Sequence, residues 1–331
     1  MKKSKIVNTY IDTLGLRCEC DSQKQRDALF NVLIDFLIEK KIVAPKYNQE
    51  RSNQYYQITD LMHGNSKLAS IAKGHYVNDT TINPDYFYIN ISFYGLKRYS
   101  KKKDDASALL VRTITAFLNT YNIDFRLIEL DIAMDLLNTK INNILAVCIS
   151  RSPNVEYYEL GDFDENGAEI QDDKGTYNIE KYKSLKSRKN TMGRAYLYNK
   201  RQKEKDKYKK ELGFDLTRFE VKLQKRWFVK NEFGFIPIYK ALKKYAVLEF
   251  EDIQQKEQLI QKINSAKTSR QRRKAIHDTI EDNSAVNLTQ KMNLVGAFLR
   301  EIDTIKFDNK GEFVFTKHED YLECMSNFNR K

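Results

Sequence analysis

Three short segments alternate ionisable or tyrosine side chains with apolar ones, and this alternation limits how the chain can fold. In the segment IELDIAMD, residues 128–135, Glu129, Asp131 and Asp135 fall on one face of a strand and apolar residues on the other. Two later segments repeat the pattern. The polar face of the first carries Arg194, Tyr196, Tyr198 and Lys200, and the polar face of the second carries Arg218, Glu220, Lys222 and Gln224. Because side chains alternate across a strand with a period of two, each segment is predicted to be an amphipathic strand. If the three strands pair in one sheet, their polar faces converge on one site.

The remaining segments indicate strands and helices in a non-alternating order. Further strands are predicted at 11–20, 86–94 and 176–183 and in a hairpin over 155–173, and helices after Asp21 or Ser22 and over 104–120. After Pro237 the pattern is helical to about residue 305, with a terminal strand at 313–315. This order predicts an α+β fold. A domain over 1–236 is expected to be centred on an antiparallel sheet with helices packed on it. A mainly helical region is expected over 237–331.

Length and composition fit a globular chain of two domains. The 331 residues are 41% hydrophobic and 31% charged, which is enough apolar material for a sizeable core. The apolar stretches are too short to span a bilayer, and the basic start MKKSK lacks the apolar run of a secretory signal, so a cytoplasmic location is expected. The four cysteines are too few for a disulfide scaffold, and their spacing fits no zinc site.

Positive charge is concentrated in one part of the chain. The formal net charge is +12, whereas residues 181–230 alone carry 18 Lys and Arg against 5 Asp and Glu, a net of +13. Lysine and arginine neutralise phosphates, and aromatic rings stack on unpaired bases, so this block predicts contact with nucleic acid. A solvated lysine-rich surface is the alternative. The residues expected to contact DNA are Lys186, Arg188, Lys189, Tyr196 and Lys222.

A second basic cluster lies inside the helical pattern of the C-terminal region. It contains Arg270, Arg272 and Arg273. Contact with DNA and plain helix surface are both open interpretations of this cluster.

The polar faces of the three strands carry the groups that metal-assisted phosphoryl chemistry requires. Mg²⁺ and Mn²⁺ take carboxylate oxygens, and Arg and Lys bind phosphate oxygens as charge develops on them. A tyrosine hydroxyl, with a pKa near 10, is a weak nucleophile unless a metal or nearby cations favour the phenolate. The chain has 20 tyrosines, and any single one is more often a packing residue than a nucleophile.

The order of these segments resembles the Rep_trans-type rolling-circle replication initiators of small plasmids and the related relaxases of conjugative elements. The matching segments are Ile91-Ser-Phe-Tyr-Gly95, the helix over 104–120, Glu129-Leu-Asp-Ile-Ala-Met-Asp135, Arg194-Ala-Tyr-Leu-Tyr-Asn-Lys200 with Glu204 after it, and Arg218-Phe-Glu220. The resemblance covers about residues 85–225. It departs from the family at Glu129, where the family often has Arg, and in the Ser-Gly turn, which Phe93 and Tyr94 split here.

The resemblance implies a metal-dependent DNA strand transferase that nicks a replication origin. Tyr198 occupies the position of the nucleophilic tyrosine, and Tyr196, one strand period away, is the alternative. The implied metal ligands for Mg²⁺ or Mn²⁺ are Asp131 and Glu220, with Asp135 and Glu129 as further ligands. The implied phosphate contacts are Arg194, Lys200 and Arg218, and Glu204 is an orienting partner.

The implied reaction leaves a 5′ phosphate on the tyrosine and a free 3′ hydroxyl that primes rolling-circle replication. Residues 1–236 would be the origin-nicking domain, acting on single-stranded or hairpin DNA. Residues 237–331 would contact DNA or a partner such as a host helicase, and family precedent suggests a homodimer with no membrane association. Three alternatives stay open: a relaxase for conjugative transfer, a non-catalytic origin-binding initiator, and an RNA-binding or structural protein with a basic face.

Overall fold

A computed structural model of the chain describes residues 7–41, 43–48, 55–76, 86–95, 105–148, 158–159, 176–179, 193–209, 211–230 and 235–288. In these ranges the strands form a large and a small antiparallel sheet. The large sheet contains β1 (Val7–Cys20), β2 (Ala44–Asn48), β3 (Tyr55–His63), β4 (Ser66–Tyr76), β5 (Tyr86–Tyr94), β6 (Phe125–Leu137), β8 (Tyr158–Glu159), β9 (Thr176–Asn178), β10 (Gly193–Asn199) and β11 (Leu216–Gln224). Its strand order is β2-β3-β4-β5-β1-β6-β11-β10-β9-β8. The predicted α+β class with an antiparallel sheet at its centre is confirmed.

Helices cover the apolar face of the large sheet. The helices are α1 (Gln23–Glu39), α2 (Asp105–Thr120), α3 (Lys200–Tyr208), α4 (Lys225–Lys230), α5 (Phe235–Leu242), α6 (Ile253–Ser265) and α7 (Ser269–Glu281). Helix α1 begins after Ser22, whose side chain accepts a hydrogen bond from the backbone N–H of Gln25, as an N-cap residue does. Its buried residues, such as Phe30 and Leu33, join Ile114 of α2 and Leu14 of β1 in one core. These two helices therefore pack on the face of the sheet opposite the one that carries the predicted site residues.

The small sheet joins residues from both sides of the predicted boundary at 236. It contains β7 (Ile144–Cys148), β12 (Tyr245–Phe250) and β13 (Ala285–Asn287), in the order β13-β12-β7. The helical interpretation was wrong for 245–250, where all six residues are buried in a strand between two neighbours, and for 285–287, which form a strand paired with it. A buried central strand is a continuous apolar run, which periodicity alone does not separate from a buried helix.

Several predicted elements coincide with observed ones. The strand predicted at 86–94 is β5, the strand at 11–20 is part of β1, and the helix over 104–120 is α2. Only 158–159 of the predicted hairpin over 155–173 lie within the described residues, and the predicted strand at 313–315 lies outside them. None of the described helices has the length and apolarity needed to cross a membrane.

The cysteines of β1 point into the core, as their spacing predicts. Cys18 and Cys20 are both buried and form no disulfide. Burial raises the pKa of Cys20 from 9.0 to about 11, with neighbouring Arg26 opposing the shift. Because the thiolate is the reactive form, Cys20 holds roughly 100-fold less thiolate at pH 8 than an unperturbed thiol.

We expect Cys18 and Cys20 of the native protein to resist alkylation. Iodoacetamide labelling at pH 8, followed by mass spectrometry of the peptides, should leave both unmodified in native protein and modify both in guanidinium chloride. Labelling of Cys20 at the unfolded rate under native conditions would contradict its burial.

Candidate functional site

The register of three neighbouring strands brings the predicted site residues onto one face. Strand β11 lies between β6 and β10, so Arg218 is opposite both Asp135 and Tyr198. Two residues further along β11, Glu220 is opposite Tyr196 and Ala133. Two residues beyond that, Lys222 is opposite Asp131 and Arg194. The convergence that the alternating pattern predicted is thus present in the structure.

The hydroxyl of Tyr198 is bonded to a carboxylate. It donates a hydrogen bond to Oε2 of Glu220 at 2.8 Å, diagonally across β10 and β11. The ring is 3% exposed, and the ammonium of Lys203 lies 4.2 Å from its centroid. Burial, followed by the charge of Glu220, raises the pKa of Tyr198 well above its usual range. The phenol is therefore protonated at neutral pH, with its proton directed at a base.

A lysine links two acids beside this pair. The Nζ atom of Lys222 lies 3.1 Å from Oδ2 of Asp131 and also forms an ion pair with Glu129. Burial alone would lower the pKa of Lys222, but the two carboxylates more than compensate and raise it. Burial raises the pKa of Asp131 well above its usual range; Lys222 opposes the shift, and Glu220 and Glu129 add to it. Glu220, Glu129 and Asp131 therefore form one electrostatically coupled cluster.

One oxygen of Asp131 has no partner. Its Oδ1 atom is buried, and no hydrogen-bond donor reaches it from the described residues. An unsatisfied buried carboxylate oxygen is costly, and such groups are found where an ion or ligand binds. The unpaired oxygen of Asp131 is one reason why the acidic cluster fits a divalent cation. The other is that its carboxylates are the hard oxygen donors that Mg²⁺ and Mn²⁺ prefer.

Arg218 and Asp135 form a buried ion pair. The Nε and Nη2 atoms of Arg218 donate to the two oxygens of Asp135 at 2.6 and 2.9 Å, and Nη1 lies 3.2 Å from Oδ2 of Asp12. The side chains of Arg218 and Asp135 are both 0% exposed. The roles implied by the resemblance, phosphate contact for Arg218 and metal ligand for Asp135, stay predictions. The observed geometry fits a structural pair that holds β6 against β11.

Lys200 and Glu204 form a second buried pair, at the start of α3. Asn199 caps this helix by accepting a hydrogen bond from the backbone N–H of Gln202. Lys200 and Glu204 are one helical turn apart, with Nζ and Oε1 separated by 2.6 Å, and both are buried. Glu204 thus orients Lys200 directly after the strand that carries Tyr198, whereas contact of Lys200 with phosphate stays a prediction.

The residues predicted to bind DNA have different surroundings. Lys186, Arg188 and Lys189 lie outside the described residues. Arg270 and Arg273 are exposed on α7. Arg272 is buried and donates to the carbonyl of Ala266 and to the hydroxyl of Ser269. This geometry makes Arg272 a structural residue of the helix start and leaves Arg270 and Arg273 as the surface members of the cluster.

Two site residues were missed by sequence reasoning. Asp12 lies in a β-bulge, where the register of β1 against β6 shifts between Ile11 and Thr13. Gly15 lies so close to β6 that an added Cβ would be 2.8 Å from the Cβ of Glu129. The signal for the bulge is present in the sequence, because the apolar positions change from odd to even between Ile11 and Leu14.

A compact group of three potential metal ligands occurs elsewhere in the described part of the chain, at His277, Asp278 and Glu281 on α7. All three are exposed, and His277 lies 3.2 Å from Glu281 in an ordinary helical i,i+4 pair. The carboxylate oxygens around Lys222 are farther apart than the ligand atoms of this group. The acids would therefore have to move closer together to bind one cation.

Comparison with known proteins gives a weak structural likeness. No family model matches the chain, and no curated protein matches it. Among solved structures, the chain is similar to a rolling circle replication initiator protein from Geobacillus stearothermophilus, at 13% sequence identity and a TM-score of 0.38. The match covers 75% of this chain and 88% of that chain. At this TM-score the likeness has no weight in the functional assignment, which depends on the residues of the site.

Proposed function

We propose that the protein is a replication initiator that cleaves one strand of DNA through Tyr198. The observation that carries this proposal is the hydrogen bond from the Tyr198 hydroxyl to Glu220, on a face that also holds Asp131, Glu129 and Lys222. A hydroxyl nucleophile bonded to a base, with cations and acids beside it, is the arrangement that phosphoryl transfer to a side chain requires.

Tyr198 and Glu220 carry the bond-making step. As the phenolic oxygen forms a bond to the scissile phosphorus, its proton passes to the carboxylate of Glu220. The bond between phosphorus and the 3′ oxygen breaks, and that oxygen takes a proton from water, whose hydroxide in turn takes the proton that Glu220 accepted. The products are a 5′-phosphotyrosine and a DNA strand with a free 3′ hydroxyl, which is a primer for synthesis. Transfer to a positioned base contributes typically 10²- to 10⁴-fold to such a rate.

Cationic side chains around Tyr198 would hold the substrate phosphate. Arg194 and Lys222 lie opposite each other on β10 and β11, and both are half-buried, so their charges act in a partly desolvated setting. Lys203 lies over the Tyr198 ring and is exposed to solvent. The substrate phosphate would approach from this side, because the opposite face of the sheet is covered by helices.

Asp131, Glu129 and Glu220 would hold a divalent cation. When bound, Mg²⁺ or Mn²⁺ supplies Lewis-acid stabilisation of the phosphate oxygens. Lys222 neutralises Asp131 and Glu129 in the observed arrangement, so its ammonium competes with the cation for the same oxygens. Released from the acids, that ammonium would be free to contact the phosphate.

Asp131→Asn should weaken cation binding and stabilise the protein. The amide has the shape of the carboxylate and removes a charge that burial disfavours, while Lys222 keeps its ion pair with Glu129, so we expect the free energy of unfolding in EDTA to rise by about 0.5 to 2 kcal/mol. Mn²⁺ affinity, measured by electron paramagnetic resonance, should fall by at least about 100-fold, because loss of a residue that only orients a metal ligand already costs about 10- to 100-fold. Asp278→Asn, in the exposed group on α7, is the control and should change neither quantity. Wild-type Mn²⁺ affinity in the Asp131 variant would contradict the assigned ligand set.

The covalent adduct tests the proposed function directly. Labelled single-stranded and supercoiled DNA, carrying the origin region of the element that encodes the protein, is incubated with protein and Mn²⁺ or Mg²⁺, with EDTA as control. We expect a nicked product and a protein–DNA adduct on a denaturing gel, with the nucleotide mapped to Tyr198 by mass spectrometry. Salt-sensitive binding of the same DNA with no scission would overturn the nuclease and favour the non-catalytic initiator. A conjugative relaxase shares this chemistry, and an adjacent transfer origin rather than a replication origin would distinguish it.

A further inference from the structure

A group of three cations surrounds two tyrosines at the end of the sheet. The guanidinium of Arg17 lies 3.9 Å from the ring centroid of Tyr88, and Arg126 donates to the hydroxyl of Tyr86 at 3.1 Å. The ammonium of Lys225, at the start of α4, lies 5.7 Å from the ring of Tyr86. The two rings are 5.4 Å apart. We call these five residues the end patch.

The end patch has an excess of positive charge. Among the described residues, the carboxylate in contact with these cations is Glu19, which pairs with Arg126 and accepts from the hydroxyl of Tyr86. Burial, followed by the charges of Arg17 and Arg126, lowers the pKa of Lys225, as expected where cations are crowded together. Arg126 and Lys225 are exposed to solvent. The group is therefore accessible and short of anions.

The end patch is on the same face of the sheet as Tyr198. Gly15 lies against Glu129 of the acidic cluster, and Arg17 is two residues further along β1, so it projects from the same side. Along β6, Arg126 is seven residues from Ala133, the position opposite Glu220, and a bulge at Ile128 keeps both residues on this face. At about 3.3 Å per residue this separates the patch from the Tyr198–Glu220 pair by roughly 20 Å.

We propose that the end patch binds the single-stranded DNA that leads to Tyr198, with Arg126 and Lys225 on phosphates and Tyr86 stacked on a base. The choice of DNA as the ligand depends on the proposed function. The end patch would be a second point of DNA contact, at the far end of the acidic cluster from Tyr198. Aromatic rings beside cations are the combination by which proteins bind single strands without reading sequence. A DNA strand bound both at the end patch and at Tyr198 would follow one path across the sheet, because the two sites lie on the same face.

The test measures binding separately from cleavage. A fluorescein-labelled oligodeoxythymidylate is titrated in EDTA with the full chain, and fluorescence anisotropy gives the affinity at several NaCl concentrations. Arg126→Gln combined with Lys225→Gln should make the slope of log K against log[NaCl] less steep by about 1.4. Each phosphate contact on single-stranded DNA contributes about 0.7 to this slope, and the double variant removes two contacts. Lys262→Gln combined with Lys267→Gln, on exposed positions in and after α6, removes the same charge and should leave the slope unchanged.

The stacking contact has its own readout. Tyr86→Leu should weaken binding roughly tenfold with an unchanged salt slope, as expected for loss of one stacked base. With 5-iodouracil in the oligonucleotide, photo-crosslinks should map to the peptide that contains Tyr86. An equal slope in the end-patch and control variants, or crosslinks confined to other peptides, would overturn the proposal. An adduct at Tyr198 with no effect of the end-patch variants overturns this inference alone, and a slope change without any adduct overturns the nuclease alone.

Discussion

Tyr198→Phe should eliminate the covalent protein–DNA adduct, and Tyr196→Phe should retain it. Phenylalanine lacks the oxygen that forms the bond to phosphorus, so no alternative route through the same side chain exists. The ring of Tyr198 is 3% exposed, and its replacement keeps the packing and removes one hydrogen bond to Glu220, a loss of about 1 kcal/mol in stability. Loss of the adduct in a folded variant therefore reports chemistry and not unfolding.

Tyr196 is the matched control because it is on the same strand and the same face, one strand period away. The assay is the denaturing-gel adduct assay with Mn²⁺, and circular dichroism verifies the fold of each variant. Glu220→Gln completes the set: glutamine accepts a hydrogen bond but no proton, so the rate of adduct formation should fall by about 10²- to 10⁴-fold. Adduct lost with Tyr196→Phe and kept with Tyr198→Phe would keep the nuclease and move its nucleophile by one strand period.

The site face could be predicted from the sequence because its residues alternate on three strands. Period-two patterns put Asp131, Tyr198 and Glu220 on polar faces, and the structure joins those faces in one sheet. The pairing register could not be predicted, because it depends on contacts between residues that are far apart in the chain, such as Val7 and Leu136 or Glu129 and Gln224. Register decides that Glu220 is the acid within reach of Tyr198. Asp12 was missed although the sequence signals the bulge in β1, because the contact of Asp12 with Arg218 depends on how the strands pair.

Burial was the other property that the sequence pattern did not reveal. Arg218 was expected to contact phosphate because of its position in the family resemblance, and arginine is seldom fully buried. In the structure it is enclosed between β6 and the bulge of β1, where Asp135 and Asp12 supply the compensating charge. Arg272 on α7 was likewise grouped with Arg270 and Arg273, whereas it is buried against Ala266 and Ser269. A charged residue in a pattern indicates a polar environment, and only the packing shows whether that environment is solvent or a partner.

Arg218→Met should lower the free energy of unfolding by about 3 to 5 kcal/mol. The substitution keeps most of the side-chain volume but leaves the carboxylate of Asp135 buried with neither of its two guanidinium donors. Removal of one partner from a buried ion pair costs this much because the remaining charge is uncompensated. Urea unfolding followed by circular dichroism measures the change, and an unaltered m value would show that the unfolded state is unaffected.

Arg201→Met is the matched control for this measurement. Arg201 and Asp215 form another arginine–aspartate pair at 3.1 Å, but their side chains are 41% and 40% exposed, so its removal should cost less than about 1 kcal/mol. Arg218→Met combined with Asp135→Leu removes both buried charges and should recover much of the stability lost by Arg218→Met alone, since an apolar replacement of a buried pair is often neutral. Equal small effects of the Arg218 and Arg201 substitutions would show that Arg218 is solvated and available to a phosphate. Recovery of stability in the double variant without recovery of DNA cleavage would show that the pair has a role besides folding, either in holding the register of Tyr198 and Glu220 or in the phosphate and metal contacts that the resemblance implies.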